Sequence, residues 1–379
     1  MKKSKIIIKS IALALAVVCS LSLVSCSKNL FKGVESSEED LRVVGKVGKY
    51  EVCYDELYYL IMSCKDIMKA KYGADIFKTE ASAAKYADEL HNMVMERITA
   101  NYAVFILSEE YGLEEPLKNK DIVDGVNAQI DATLYELAVY NGISVEIDES
   151  LTGEVTYKYE KGGEKKARRI FKEALEDTYL TERVMRLTLA AELAFNELPN
   201  TLSGKSDIIY SDSDIEQFMF SDEFVCIKRI VVNGTSKESL ARAEAALAAL
   251  DAGASMDDII AGRNGYKFND DVTSTPEGYY FSREELTDDI AAAVYGLKVG
   301  EISGIIKADT GYLIIQRCEK SRSYMLSNLS TFAQQIIAAQ INTMLSEYQQ
   351  SFPLVLSEFG SSLELYKIAV AEENKGDNK

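Results

Sequence analysis

Between residues 43 and 210, most apolar positions recur at the three- and four-residue spacing of helices. No internal repeat and no regular alternation of strands with helices is present, which argues against a two-lobed α/β solute-binding protein. This region is therefore predicted to be almost entirely helical. The predicted elements are a short strand over Val43–Tyr50 and helices starting near 54, over 83–111, over 117–140 and over 164–196.

Beyond residue 210 the pattern changes to short β-branched strands separated by helices and glycine turns. The predicted order is a strand over 224–232, helices over 236–252 and from 255 to 260, a strand over 276–281, a helix over 283–295, and strands over 302–306 and 312–315. An amphipathic helix is then predicted from Ser323 to Phe352. The residues from 367 onward are predicted to be a disordered tail.

The N-terminus predicts export. A basic start is followed by an apolar run that ends in Leu23-Val24-Ser25-Cys26, the arrangement of a secretory signal. The L-x-S-C ending resembles a bacterial lipobox, which implies that Cys26 is lipidated and that residues 27–41 form a polar tether. The alternatives are a plain signal peptide and an uncleaved anchor helix. No later stretch approaches the ~20 apolar residues of a spanning helix, so the predicted location is extracytoplasmic and lipid-anchored.

Charge and composition exclude several functions. The formal net charge of -18 disfavours nucleic acid, which is bound through clustered Lys and Arg. One histidine, His91, and the absence of a C-x-x-C motif argue against a metal site, and no cofactor is expected. His91 is interpreted as structural. The basic run from Lys158 to Arg169 is predicted to be either a solvated loop and helix start or a patch that contacts anionic lipid or wall polymer.

Two groups of motifs carry a family resemblance. FVCIKRIVV, PEGYYF, GLKVGEIS and DTGYLIIQR occur in the order of a parvulin-type peptidyl-prolyl isomerase domain. VGKVGKYEVCYDEL, directly after the tether, resembles the N-terminal segment of the SurA and PrsA class of folding factors. The resemblance implies an α+β fold, in which a mainly helical chaperone lobe is interrupted by an inserted parvulin-like domain of antiparallel sheet and helices.

The domain boundaries expected from this resemblance follow from the order of the motifs. They are a signal peptide over 1–25, a lipidated tether over 26–42, a helical lobe over 43–220, a parvulin-like domain over 221–320, a C-terminal helix over 321–366 that packs on the helical lobe, and the tail over 367–379.

Both histidines of the parvulin pattern are replaced. The motif positions place Arg229 and Leu313 where the family has histidines on its paired first and last strands. Arginine is a hydrogen-bond donor only, and leucine has no polar side-chain atom, so no catalytic residue is assigned. The residues expected to contact substrate are Arg229, Tyr280, Leu286, Ile290 and Leu313.

Four cysteines remain after the signal and the anchor: Cys53, Cys64, Cys226 and Cys318. If Arg229 and Leu313 face each other, Cys226 and Cys318 are near-diagonal neighbours on the opposite sheet face. They are predicted to be two buried free thiols or, alternatively, a disulfide.

The function expected from these features is that of a membrane-anchored folding factor. Its partners would be unfolded or nascent exported polypeptides and the membrane, with isomerase activity weak or lost. Two alternatives stay open, an active peptidyl-prolyl isomerase and a scaffold lipoprotein that serves one envelope partner.

Overall fold

The computed structural model describes residues 30–31, 34–149, 155–202 and 211–376. The predicted signal segment and Cys26 lie outside these residues. The chain divides into two compact units. The first combines residues up to Leu202 with residues from Met344 onward, and the second runs from residue 203 to Thr343. Among the described helices, none combines the length and the hydropathy that crossing a bilayer requires.

The first unit begins with an antiparallel hairpin that leads directly into a helix. The hairpin turns at Gly48, whose φ of 56° lies in the left-handed region that favours glycine. The elements are β1 (Val43–Val47), β2 (Tyr50–Cys53), α1 (Tyr54–Tyr72), α2 (Glu80–Ala83), α3 (Ala87–Glu110) and α4 (Lys120–Tyr140). Asn119 caps α4 by accepting hydrogen bonds from the backbone N–H groups of Asp121 and Ile122.

The next part of the first unit differs from the prediction in two ways. A two-stranded antiparallel hairpin, β3 (Val145–Glu149) and β4 (Val155–Tyr159), occupies a stretch predicted to be helical or irregular. The single helix predicted over 164–196 is two helices, α5 (Gly163–Glu176) and α6 (Glu182–Leu202). The chain turns at Tyr179, which has a φ of 60°. Spacing alone misses this break because both helices bury an apolar face, so the stripe continues across the turn.

The second unit contains a four-stranded antiparallel sheet in the order β6-β5-β8-β7. Its elements are α7 (Asp212–Phe220), β5 (Phe224–Asn233), α8 (Lys237–Asp251), α9 (Met256–Ile260), β6 (Tyr279–Ser282), α10 (Asp288–Gly296), β7 (Ile306–Ala308) and β8 (Gly311–Cys318). Serines begin α7, α8 and α9, each accepting a hydrogen bond from a backbone N–H of the first turn.

The two faces of this sheet bury different clusters. One face, called here the α8 face, packs Ile230, Val232 and Ile314 against α8 and α9. The same face packs Phe224 and Cys226 against residues that follow β8. The other face, the α10 face, packs Val225, Ile227 and Ile315 against Val294 of α10. Alternate residues of β5 therefore belong to separate cores, as the two-residue period of a strand requires.

The C-terminal region corrects three expectations. It contains α11 (Arg322–Ser327), α12 (Leu329–Ser351), β9 (Val355–Leu356), α13 (Glu358–Ser361) and α14 (Leu365–Gly376). The helix predicted from Ser323 is broken before Leu329. Its stripe does not pack only on the helical lobe, because Phe332 and Ile336 join the core of the second unit. The predicted disordered tail is helical as far as Gly376.

Two further features of the first unit bear on its organisation. β9 pairs antiparallel with β1, so this unit contains residues from both ends of the chain. Leu30, within the predicted tether, is 1% exposed and is therefore buried against this unit. The fold class is confirmed: the chain is mainly helical α+β with small antiparallel sheets.

Candidate functional site

The register of β5 and β8 brings the two family histidine positions to one face of the sheet. Arg229 is directly opposite Ile315, and Leu313 is directly opposite Val231. Arg229 and Leu313 are therefore diagonal neighbours on the α10 face, offset by two residues from the direct pairing expected from the sequence.

An apolar patch lies beside Leu313 on this face. It consists of four half-buried residues, and the fully buried core of the α10 face lies beneath them. Two of the four, Leu286 and Ile290, are residues predicted to contact substrate. The apolar patch is Leu286, Ile290, Ile306 and Leu313.

Tyr280 is not part of this face, so its assignment as a substrate contact is wrong. It is opposite Cys226 in the sheet and is buried on the α8 face, where its ring packs against Phe332. Its hydroxyl accepts a hydrogen bond from the backbone N–H of Ser321 at 3.1 Å. Tyr279, one residue earlier, points to the α10 face and borders the patch. A shift by one residue moves a strand side chain to the other face.

Arg229 is part of a polar cluster that was not predicted from the sequence. Its Nε donates to Oδ2 of Asp271 at 2.8 Å, and its guanidinium carbon lies 4.3 Å from the ring centroid of Tyr279. The Tyr279 hydroxyl donates to the same Asp271 oxygen at 2.9 Å. The backbone N–H and the hydroxyl of Thr273 donate to Oδ1 of Asp271 at 2.9 and 2.6 Å. The polar cluster is Arg229, Asp271, Thr273 and Tyr279.

The loop before Thr273 is held along the part of β5 that β6 does not cover. β6 pairs with β5 only from Phe224 to Ile227. Beyond that point the Val231 N–H donates to Oδ1 of Asn269 at 2.9 Å, and the Val231 carbonyl accepts from the N–H of Asp270 at 2.7 Å. These bonds provide hydrogen-bond partners for the N–H and the carbonyl of Val231 on the uncovered edge of β5, and they fix the position of Asp271. In the sequence, the Asn-Asp-Asp-Val-Thr run over residues 269–273 indicates such a loop, because Asn, Asp and Thr side chains form hydrogen-bonded turns with their own backbone.

Asp271 is the most constrained member of the polar cluster. Burial alone would raise the pKa of its carboxyl group, but the hydrogen bonds from Thr273, Arg229 and Tyr279 outweigh burial and hold that pKa well below its usual range. The Asp271 side chain is 6% exposed and that of Arg229 is 32% exposed. Asp271 is therefore ionised and already paired, whereas one side of the guanidinium faces solvent.

We expect Asp271→Asn to destabilise the second unit by about 1–3 kcal/mol, because an amide NH₂ faces donors and leaves buried polar groups unpaired. The folded-state pKa of Asp271 is depressed, so its stabilisation is present above the unfolded pKa and is lost as pH falls through the folded pKa. Urea unfolding at neutral and acidic pH should therefore show a difference between wild type and variant that shrinks in acid.

The matched control is Asp309→Asn, at an exposed position in the β7–β8 turn. An Asp271→Asn variant no less stable than this control would contradict the role given to the polar cluster.

The chemistry of the site is asymmetric. Its polar side offers guanidinium donors and a carboxylate that is already engaged, and its other side offers only apolar side chains. Val272, between Asp271 and Thr273, is 96% exposed and extends the apolar surface beside the polar cluster. The arrangement can hold an apolar side chain and donate a hydrogen bond to a carbonyl. At positions 229 and 313 it has no group that both donates and accepts protons.

The second unit thus combines an antiparallel sheet in the order β6-β5-β8-β7, helices on both faces of that sheet and a candidate site on the α10 face. Residues 228–320 match the family model described as a PPIC-type PPIase domain. The prediction of a parvulin-type domain is confirmed. The match identifies this domain and not the rest of the chain.

Solved structures similar to the chain include foldases and SurA-like chaperones. PrsA from Bacillus subtilis is 17% identical, with 82% of this chain and 91% of that chain covered and a TM-score of 0.25. Foldase protein PrsA from Streptococcus pneumoniae is 14% identical, with 78% and 90% covered and a TM-score of 0.30. A structure from a study of the SurA-like chaperones PEB4 and Cj1289 of Campylobacter jejuni is 15% identical, with 51% and 81% covered and a TM-score of 0.19.

At these identities and TM-scores the similarities define neither the activity of this chain nor the arrangement of its units. No curated protein matches the chain.

The remaining predicted residues lie elsewhere. Cys26 is outside the described residues, and His91 is exposed on α3 in the first unit. Cys226 and Cys318 are directly opposite each other in the sheet, not diagonal as predicted, and both are free thiols. The neighbouring Cys318 thiol and burial raise the pKa of Cys226, and the Cys226 thiol lowers that of Cys318.

Proposed function

We propose that this protein is a lipid-anchored extracytoplasmic folding factor whose parvulin-type domain binds extended or proline-containing segments with weak or no isomerase activity. The observation that carries the proposal is the pair of residues at the family histidine positions. Arg229 is tied to Asp271, and Leu313 is part of the apolar patch. The apolar patch can still bind a peptide segment. Positions 229 and 313, however, hold no side chain that can both donate and accept a hydrogen bond.

The demands of the reaction explain why this difference matters. Rotation about an X-Pro bond faces a barrier of roughly 18–20 kcal/mol. Lowering it requires a dry contact for the prolyl ring and polar groups that favour the twisted amide over the planar one. The apolar patch supplies the first. Arg229 supplies donors on one side only, and Leu313 supplies none.

Binding without turnover is sufficient for a folding factor. An unfolded segment exposes apolar side chains at short intervals, and a half-buried apolar surface shields them by removing apolar area from water, at about 25 cal/mol per Å². The exposed part of the Arg229 guanidinium can donate to a backbone carbonyl of the same segment. Cys26 would keep the protein where exported chains emerge.

The first test is a protease-coupled proline-peptide assay on the chain without residues 1–26, with a histidine-containing parvulin measured in parallel. We expect little or no acceleration over the uncatalysed rate. Turnover comparable to the parvulin would contradict the proposal and establish the alternative of an active isomerase.

The companion variant restores both family residues, Arg229→His with Leu313→His. We expect it to raise turnover above wild type, because a histidine at position 229 would still have Asp271 as a partner and a histidine at position 313 would add the missing polar group. Each single variant serves as the control and should stay near wild type, since the two positions act as a pair. If the double variant folds and remains inactive, another feature of the site limits catalysis.

Chaperone activity is measured separately, as suppression of aggregation of several unrelated unfolded proteins. Suppression that is reduced by Leu286→Asp supports binding through the apolar patch. Protection of one partner only would favour the scaffold lipoprotein.

A further inference from the structure

The chain joins the first unit very soon after the proposed anchor residue. The backbone carbonyl of Leu30 accepts a hydrogen bond from Nη1 of Arg186 on α6 at 3.3 Å, and the Leu30 side chain is buried. The next residue, Phe31, has its ring centroid 5.7 Å from the guanidinium carbon of Arg183. Leu30 is thus held in place on α6.

Chain length then limits the distance between this attachment point and a lipid on Cys26. Leu30 is four residues after Cys26, and a fully extended chain spans at most about 3.3–3.6 Å per residue, or about 14 Å in all. If Cys26 is lipidated, as proposed above, the surface around Leu30 must lie close to the bilayer.

That surface includes α5. Arg186 also donates to Oδ1 of Asn127 on α4 at 2.7 Å. One turn further along α4 is Asp131; burial raises the pKa of its carboxyl group, and the nearby guanidinium groups of Arg168 on α5 and of Arg186 oppose that rise. Lys172, also on α5, has its Nζ 3.8 Å from the carboxylate of Glu35. α5 therefore lies near Glu35, five residues after Leu30 in the chain.

The exposed side of α5 is mainly basic, with five lysines and arginines beside Glu164, Glu173 and Glu176. Its inner side buries Ala167, Phe171, Ala174 and Leu175. Between Lys158 and Lys172 there are seven basic and two acidic residues, in a chain whose net charge is -18. The exposed basic residues of the helix and its approach, called here the basic face, are Lys161, Lys165, Lys166, Arg168, Arg169 and Lys172.

Half of the basic face forms no ion pair with the residues that the structure describes. Arg168 and Arg169 pair with Glu164 and Glu173 of the same helix, at 3.0 and 3.6 Å, and Lys172 is near Glu35. Among the described residues, Lys161, Lys165 and Lys166 form no ion pair. Their charges are available to an external anion.

We propose that the basic face rests on the anionic phospholipid headgroups around the anchor and so orients the first unit on the membrane. The inference depends on the lipid anchor of the proposed function. It favours lipid over a soluble anionic polymer because the chain itself brings this face to the bilayer. Each cation near an anionic leaflet contributes about fivefold in partitioning, enough to orient a protein that its anchor already holds at the surface.

The test uses the chain without residues 1–26, so that no lipid contributes to binding. Sedimentation with vesicles of phosphatidylcholine and phosphatidylglycerol is compared with sedimentation with phosphatidylcholine alone. We expect binding to the anionic vesicles only, and loss of it as salt is raised, because exposed charges are screened.

The triple variant Lys161→Gln, Lys165→Gln, Lys166→Gln should reduce this binding at least about tenfold. The matched control, Lys237→Gln, Lys267→Gln, Lys307→Gln, makes the same charge change at exposed lysines of the second unit and should bind as wild type does.

Three results would overturn the proposal. The first is an equal loss of vesicle binding in both triple variants, and the second is equal binding to anionic and neutral vesicles. The third is binding of the basic face to soluble polyglycerol phosphate without binding to vesicles. Metabolic lipid labelling of the full chain and of Cys26→Ser tests the anchor itself. Absence of label would refute the anchor whatever the vesicles show, whereas a labelled protein without vesicle binding would refute only the orientation.

Discussion

Replacing Arg183 by alanine is expected to destabilise the first unit by about 3–5 kcal/mol, because two buried carboxylates would lose their guanidinium partner. Arg183 donates from Nε and Nη2 to the carboxylate of Asp55, at 2.9 and 2.6 Å, and from Nη2 to Glu56. All three side chains are at most 10% exposed. Thr181 donates to Asp55 at 2.9 Å, and Tyr102 donates to Glu56.

The effect should depend on pH in a defined direction. Burial raises the pKa of Glu56 even with Arg183 present, and Arg183 and Tyr102 oppose that rise. Without the guanidinium, the pKa of Glu56 in the folded state rises further, so the folded state binds protons that the unfolded state releases. Stability of the variant is then lost as pH rises and partly recovered in acid. Thermal unfolding over a pH series measures this difference.

Arg168→Ala is the control, because it removes an exposed pair with Glu164 and should change stability by less than about 1 kcal/mol. Adding Asp55→Asn and Glu56→Gln to Arg183→Ala should restore part of the loss, since the remaining groups are neutral. If Arg183→Ala costs no more than Arg168→Ala, the buried network does not hold the unit together.

Gly360→Ala is expected to separate the C-terminal strand from the N-terminal hairpin. A Cβ at Gly360 would overlap the carbonyl oxygen of Val44, a backbone atom that cannot rotate away. The same stretch is fixed by the Ser357 N–H and hydroxyl, which donate to the carbonyls of Val44 and Val43, each at 2.9 Å. Relieving the overlap requires moving α13, which also breaks these bonds.

We expect a loss of roughly 2–4 kcal/mol, since small-to-large changes at packed positions typically cost about 1–3 kcal/mol and the lost hydrogen bonds add to that. Hydrogen exchange should show reduced protection in β9 and β1. Gly296→Ala is the control, because a Cβ added there would have no atom within 4 Å and the φ of Gly296 is not positive. Unchanged protection in β1 would show that the two ends of the chain are not joined through this contact.

Much of the fold could be predicted because local patterns govern it. The strand–helix start at residue 54, the end of α4 at Tyr140 and the order of the elements in the parvulin-type domain follow from spacing, caps and turns. The apolar part of the site was predicted for the same reason, since Leu286 and Ile290 lie at their motif positions. That positions 229 and 313 hold arginine and leucine is likewise read from the sequence alone.

The rest of the site depended on pairing between distant strands. A sheet register is set by packing on both faces, and an error of one residue reverses the direction of a side chain. This is why Tyr280 was assigned to the site in place of Tyr279, and why Cys226 and Cys318 were taken as diagonal. Asp271 lies 42 residues from Arg229, and nothing in local spacing links the two.

The sequence by itself determined the fold class and the parvulin-type module, and it predicted an export signal and a site without histidine at positions 229 and 313, because composition, local periodicity and short motifs encode these features. Only the tertiary structure decided which residues surround Arg229, where the long helical stripe breaks, and that the basic face of α5 lies near Glu35. These features depend on contacts between residues far apart in the chain. The free energy of such contacts arises from burial and pairing in the folded state, and the contacts produce no periodic pattern in the sequence.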